Sequence, residues 1–108
     1  MGLTKSFRES VMKELEDKEY RRAFLREAII DMLTGELDSA KMVLREYIIG
    51  TVGFVRAGED LGRSPKSLLR MLSKDGNPHA RNLLELIAYL QKANGVVVEI
   101  VLGDAFAA

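Results

Sequence analysis

The apolar residues of this chain fall on a helical beat. Tyr20, Phe24, Leu25, Ala28, Ile29, Met32 and Leu33 recur at steps of four, five and eight. A period of about 3.6 residues lays them along one stripe and predicts an amphipathic helix. Gly35 is placed to end it. Ahead of it, FRESVMKELED sets Phe7, Val11, Met12 and Leu15 at helical spacing, after a loose end over residues 1–5. These two N-terminal helices occupy residues 7–34. A third opens at Leu37-Asp38, turns Ala40, Val43, Leu44, Tyr47 and Ile48 inward, and stops at Gly50. Thr51 is set to cap a short helix with Phe54, Val55, Ala57 and Leu61 that Gly62 ends. Ser64-Pro65 is a helix-start signal, with Ser at the N-cap and Pro at the first helical position. That helix is expected to run to Ser73, before the turn composition KDGNP.

A last long helix is expected from Asn77-Pro78, with Leu83, Leu84, Ile87 and Leu90 inward and Asn94-Gly95 closing it. VVVEIVL is β-branched and bounded by Gly, which predicts a short strand over residues 96–101. The expectation is an all-α fold of five or six helices with a short C-terminal strand, one domain over residues 1–108. No repeat, low-complexity stretch or long linker interrupts it.

Composition narrows the class. The 108 residues are 47% hydrophobic, enough for a modest core. Cysteine is absent, which excludes disulfides, thiol catalysis and cysteine-ligated zinc and is compatible with a reducing cytoplasm. The opening MGLTKSFRES has no apolar signal-like run, and no stretch approaches the roughly 18 apolar residues of a membrane helix. The expectation is a cytoplasmic protein with no membrane partner.

Little catalytic chemistry is on offer. His79 is the one histidine and stands beside a proline in a turn, where a solvated role is expected. Gly53 and Gly58 have the separation of a phosphate loop's two glycines, but Glu59 stands where that loop needs Lys. Acid pairs such as Glu16-Asp17 and Glu59-Asp60 fall on helix surfaces. No enzyme, cofactor or metal is expected.

Net charge is zero, yet it is split along the chain. Residues 9–38 hold nine acids and five bases, net −4; residues 63–81 hold Arg63, Lys66, Arg70, Lys74 and Arg81 against Asp75, net +4. At roughly 100° per residue, Lys66, Arg70, Lys74 and Ser67 share one side of the second short helix, and Leu68, Leu69, Met71 and Leu72 share the other. Two short helices joined at a glycine, the second with a basic outer face, outline a helix-turn-helix, whose second helix lies in the DNA major groove. The spacing agrees. Gly58, four positions before Gly62, gives a small residue for a close crossing. Leu68 and Met71, six and nine after Gly62, can pack back.

EYRRAFLREAIIDMLTGE, GEDLGRSPKSLLRMLSKDGNP and ARNLLELIAYLQKANGVVVEI resemble stretches of the addiction-module antidote family. These are small Xre-type helix-turn-helix proteins, the antitoxin halves of toxin–antitoxin pairs. The most specific match is Leu72-Ser73-Lys74-Asp75-Gly76-Asn77-Pro78, and the likeness covers residues 10–100. Arg63 stands where the family has an apolar residue, and Gly58 where it has Ala. The resemblance implies a lambda-repressor-like DNA-binding domain that dimerises, represses its own operon and binds a small ribonuclease-like toxin.

The expected function is that of a sequence-specific regulator of a double-stranded DNA operator, antitoxin and autorepressor. Lys66, Ser67 and Arg70 are expected to face base edges or groove phosphates, with Arg70 on guanine. Arg63, Ser64 and Lys74 are expected to grip the backbone, and Thr51 and Arg56 a flanking phosphate. The acidic N-terminal third suits a small basic toxin. Leu86, Tyr89 and Val96 to Val101 are the expected homodimer surface. The alternatives are an orphan regulator without a toxin and a protein-interaction module reusing the fold.

Overall fold

The structure, a computed structural model, describes residues 4–105. The loose end expected over residues 1–5 lies mostly outside them. Six helices follow in order: α1 (Lys5–Glu14), α2 (Lys18–Leu33), α3 (Leu37–Gly50), α4 (Phe54–Leu61), α5 (Pro65–Met71) and α6 (Ala80–Asn94). No described helix is long and apolar enough to cross a membrane.

The sequence signals act locally as their chemistry requires. Asp17 caps α2, its carboxylate accepting from the backbone N–H of Glu19 (2.8 Å) and Tyr20 (3.2 Å). That satisfies two of the orphan donors every helix start leaves. The α2 stripe then lays Leu25 and Ala28, both buried, against α3, whose Ala40, Leu44, Tyr47 and Ile48 are fully buried. Phe24 stacks on Tyr47 with ring centroids 6.5 Å apart. Val11 and Leu15 of the α1 end, Ala57 of α4, Leu68 of α5, Leu72 after it, and Leu83, Leu86, Ile87 and Leu90 of α6 close one apolar cluster around this pair. Burial pushes the Tyr47 phenol above its ordinary range.

α3 runs from Leu37 to Gly50, the expected bounds; Gly50 is its last residue, where a Cβ would run into Leu15. Other elements depart from the sequence expectation. Thr51 closes α3 rather than opening α4: its hydroxyl donates to the Tyr47 carbonyl at 2.8 Å, and Gly53 takes the cap position of α4. The long helix begins at Ala80, after His79 at the N-cap position without a side-chain cap bond, not at Asn77-Pro78. Leu84 is 62% exposed and Leu33 is 74% exposed, so each lies at the solvent edge of its stripe. Leu86, expected on a dimer surface, is in the core at 1%.

The strand over residues 96–101 is absent. Among the described residues there is no strand at all, because β-branched propensity forms a strand only where an edge exists to pair with. Two hydrogen bonds hold the segment instead. Val96 N–H donates to the Gln91 carbonyl (2.9 Å), and Val98 N–H to the Gln91 side-chain oxygen (2.8 Å). Val97, Ile100, Val101 and Leu102 remain exposed.

Candidate nucleic-acid interface

The candidate surface is built on α4, α5 and the turn that joins them. Gly62 ends α4 with φ +69, a left-handed conformation that an L side chain strains to adopt. The Arg63 N–H closes back on the Gly58 carbonyl at 2.9 Å. A Cβ on residue 58 would lie 2.5 Å from the Arg63 carbonyl oxygen, so even alanine is too large. The glycine at this position therefore has a steric reason: the turn folds down directly on α4.

Ser64 is the N-cap of α5. Its side chain accepts from the Ser67 N–H at 3.0 Å, with Pro65 at the first position. Leu68, Met71 and Leu72 are buried, and Leu69 is 41% exposed at the margin. Lys66 and Arg70 are exposed on the opposite side, with Ser67 half-buried beside them. Four residues apart on a helix, Lys66 and Arg70 are neighbours. Among the described residues, no carboxylate lies within ion-pair reach of Lys66, Arg70 or Lys74.

The helix ends sooner than its pattern suggests, at Met71, so Lys74 sits in the following turn rather than on a further helical turn. The cause lies on α3. Arg45 donates from Nη1 to the Leu72 carbonyl at 2.8 Å. Lys41, 3% exposed, donates to the carbonyls of Gly76 (2.8 Å) and Lys74 (3.3 Å). The Ser73 hydroxyl takes the Arg70 carbonyl at 2.8 Å. Arg45 and the Ser73 hydroxyl thus take carbonyls of the helix end, and Lys41 takes carbonyls of the turn after it. Gly76 lets the turn approach: a Cβ there would overlap the carbonyl oxygens of Arg70 and Met71. The Gly-Asn-Pro block owes its glycine to this contact.

The remaining candidates separate from this face. Arg63 turns onto α6, donating to Asn82 Oδ1 at 2.7 Å and standing 3.9 Å from Glu85. It fastens the turn to α6, where sequence reasoning expected a phosphate grip. Arg56 lies 3.8 Å from Asp60 on its own helix, and Asp60 also accepts from the Tyr89 hydroxyl at 2.6 Å. Burial, then that hydrogen bond, push the Tyr89 phenol up to about 12. The Thr51 hydroxyl is engaged by α3. The structure therefore brings Ser64, Lys66, Ser67, Arg70 and Lys74 onto α5 and its two ends, and leaves Thr51, Arg56 and Arg63 with structural partners.

No family model, curated protein or solved structure matches the chain.

A helix with one buried face is held at its first residue by a cap and at its last by α3. Its free face offers a guanidinium, an ammonium group and a hydroxyl, and the turn after it a second ammonium, with no ion-pairing carboxylate among the described residues. Such a face suits phosphate oxygens and base-edge acceptors.

Proposed function

We propose that the protein is a sequence-specific DNA-binding transcriptional regulator. In this reading α4 and α5 form a lambda-repressor-like helix-turn-helix, with α5 in the major groove. One observation carries it: Lys66 and Arg70, uncompensated on the exposed face of a helix whose other face and both ends are fixed. The Lys41 and Arg45 hydrogen bonds satisfy carbonyls at and after the helix end, and in this reading they also fix the pose of that face. Arg70 reads a guanine through O6 and N7, Lys66 and Ser67 take base edges or groove phosphates, and Ser64 and Lys74 take the backbone.

The likeness of the motifs to addiction-module antidotes extends the reading to an antitoxin that represses its own operon in the cytoplasm. The exposed acids Glu9, Glu14, Glu16, Glu19 and Glu27 suit a small basic ribonuclease-like toxin. Co-purification of the full chain with the product of a neighbouring gene tests that half. Recovery of the chain alone would leave an orphan regulator. The full chain is needed because α2 supplies Leu25, Ala28 and Phe24 to the core.

DNA binding is tested with the duplex upstream of the chain's own gene, by fluorescence anisotropy at several salt concentrations. Arg70→Ala is expected to cost about 1–3 kcal/mol and to relax preference at one base pair. Lys74→Ala weakens every sequence alike and makes the salt slope shallower by about one. Parent-like affinity and specificity in both variants would refute the assignment of α5.

One seven-residue helix offers few base contacts, so the reading includes a homodimer on two half-sites about 34 Å apart. Its surface is the open groove of about 880 Å³ between α2 and the tail, edged by Ile30, Leu33, Val97, Ile100 and Val101. A second copy covers these exposed apolar groups, and its tail pairs with the backbone groups this tail leaves free. Light scattering on chains ending at residue 95 is expected to give half the mass of the full chain. Equal masses would reject the tail as the dimer contact.

A further inference from the structure

A chain of charges that runs through the buried Glu46 connects α1 to the end of α5. Arg8 donates from Nε and Nη2 to the two carboxylate oxygens of Glu46 at 2.6 and 2.5 Å. Glu46 is 3% exposed. Arg45, next to it in sequence, has its Nε 4.0 Å from Glu46 Oε2, while its Nη1 holds the Leu72 carbonyl at 2.8 Å. Glu46 thus has two guanidiniums within reach, and Arg8 holds the fork geometry that is the stronger of the two arrangements. Arg45 is left free to serve α5.

We propose that Arg8, on α1, is a positioning residue for α5, acting through Glu46 and Arg45. A buried carboxylate stripped of its partner is strongly unfavourable and takes the nearest cation. Without Arg8 that cation is Arg45. As its guanidinium closes on Glu46, Nη1 leaves Leu72, and the C-terminal end of α5 loses its hold. Lys41 alone then anchors the turn, through Lys74 and Gly76. Whatever draws α1 away from α3 has the same effect. The consequence for DNA rests on the reading of α5 as the recognition helix; the link between α1 and α5 does not.

The test uses the full chain as Arg8→Ala, Arg8→Lys, Glu46→Gln and Arg8→Ala/Glu46→Gln. Amide hydrogen exchange is read at Leu72, Ser73 and Gly76, whose N–H groups bond to Leu68, Arg70 and Ser73. Amides of α2 and α3 serve as the reference. Arg8→Ala is expected to speed exchange at the α5 end about tenfold relative to that reference, the weight of one charge-assisted hydrogen bond. Arg8→Lys, which cannot fill both oxygens, gives a smaller rise. Glu46→Gln removes the charge that competes for Arg45, so exchange there stays within about twofold of the parent, alone and in the double variant.

That rescue is the reading a general loss of packing would not produce. Exchange as fast in the double variant as in Arg8→Ala overturns the proposal, as does no change in Arg8→Ala. Should Arg8→Ala fail to fold, an Arg8→Lys variant indistinguishable from parent at Leu72 to Gly76 overturns it equally. Operator affinity of the same proteins is the separate arm. It is expected to fall about tenfold in Arg8→Ala and to recover in the double variant. If exchange responds and affinity does not, the link stands and the assignment of α5 to DNA fails.

Discussion

Replacing Lys66, Arg70 and Lys74 together by alanine is expected to weaken operator binding about a thousandfold at moderate salt, with the helices intact. In the proposed reading, one base contact and two phosphate contacts are lost. At about 1–3 kcal/mol for the first and less for each of the others, the sum is on the order of 4 kcal/mol. The salt slope becomes shallower by about two, one for each phosphate released. Stability is expected to stay within about 0.5 kcal/mol of the parent, since none of the three side chains anchors another part of the chain. Anisotropy across a salt series gives affinity and slope together, and a thermal melt confirms the fold. A folded triple variant that binds as tightly as the parent would remove α5 from the DNA.

Gly76→Ala is expected to destabilise the fold by about 3 kcal/mol, a large effect for one methyl group. The atoms it would meet, the carbonyl oxygens of Arg70 and Met71, are backbone and belong to α5 itself. No flexible side chain can give way. Relief requires the turn to move off the helix end, which also breaks the Lys41 hydrogen bond to the Gly76 carbonyl. For a chain of this size the melting temperature falls on the order of 15 °C. Gly103→Ala is the control: nothing lies within 4 Å of its added Cβ, so its melt should match the parent. Equal melting of the two variants would show that the turn does not pack on α5.

Signals that act within a few residues were legible in the sequence. Ser64, Pro65 and Gly62 each fix a backbone conformation by their own chemistry, so the borders between α4 and α5 followed from residue type. The stripes of α2 and α3 were legible for the same reason that they form: burial of one face. Their margins were not. Leu84 lies beside the buried Leu83, and an apolar arc drawn on a wheel does not show where the neighbouring helix ends. Thr51 follows a glycine and reads equally as the end of one helix or the start of the next. The difference is decided by the Tyr47 carbonyl, one turn back.

The cations of α3 were the larger omission. Lys41 and Arg45 stand four apart and look like a solvated face. Their partners are backbone carbonyls 27 to 35 positions away, and a carbonyl has no signature in sequence. Arg63 is a parallel case: its place beside the turn suggests a phosphate ligand, while Asn82 and Glu85 meet it from α6. The strand over 96–101 was inferred from composition, which describes what a segment favours and not whether an edge is there to receive it.

The tail touches the rest of the molecule lightly. Gln91 moors it by two hydrogen bonds, and among its described apolar residues only Val96 packs on the central cluster. Substitutions from Val97 onward therefore leave the six helices nearly indifferent, within about half a kcal/mol each. The face of α5 is under the opposite constraint, because its pose depends on Lys41, Arg45, Gly58 and Gly76 at once. The fold therefore ties down the framework under α5 and leaves the tail's side chains to whatever covers them, so partner choice and the pose of α5 can be altered by separate substitutions.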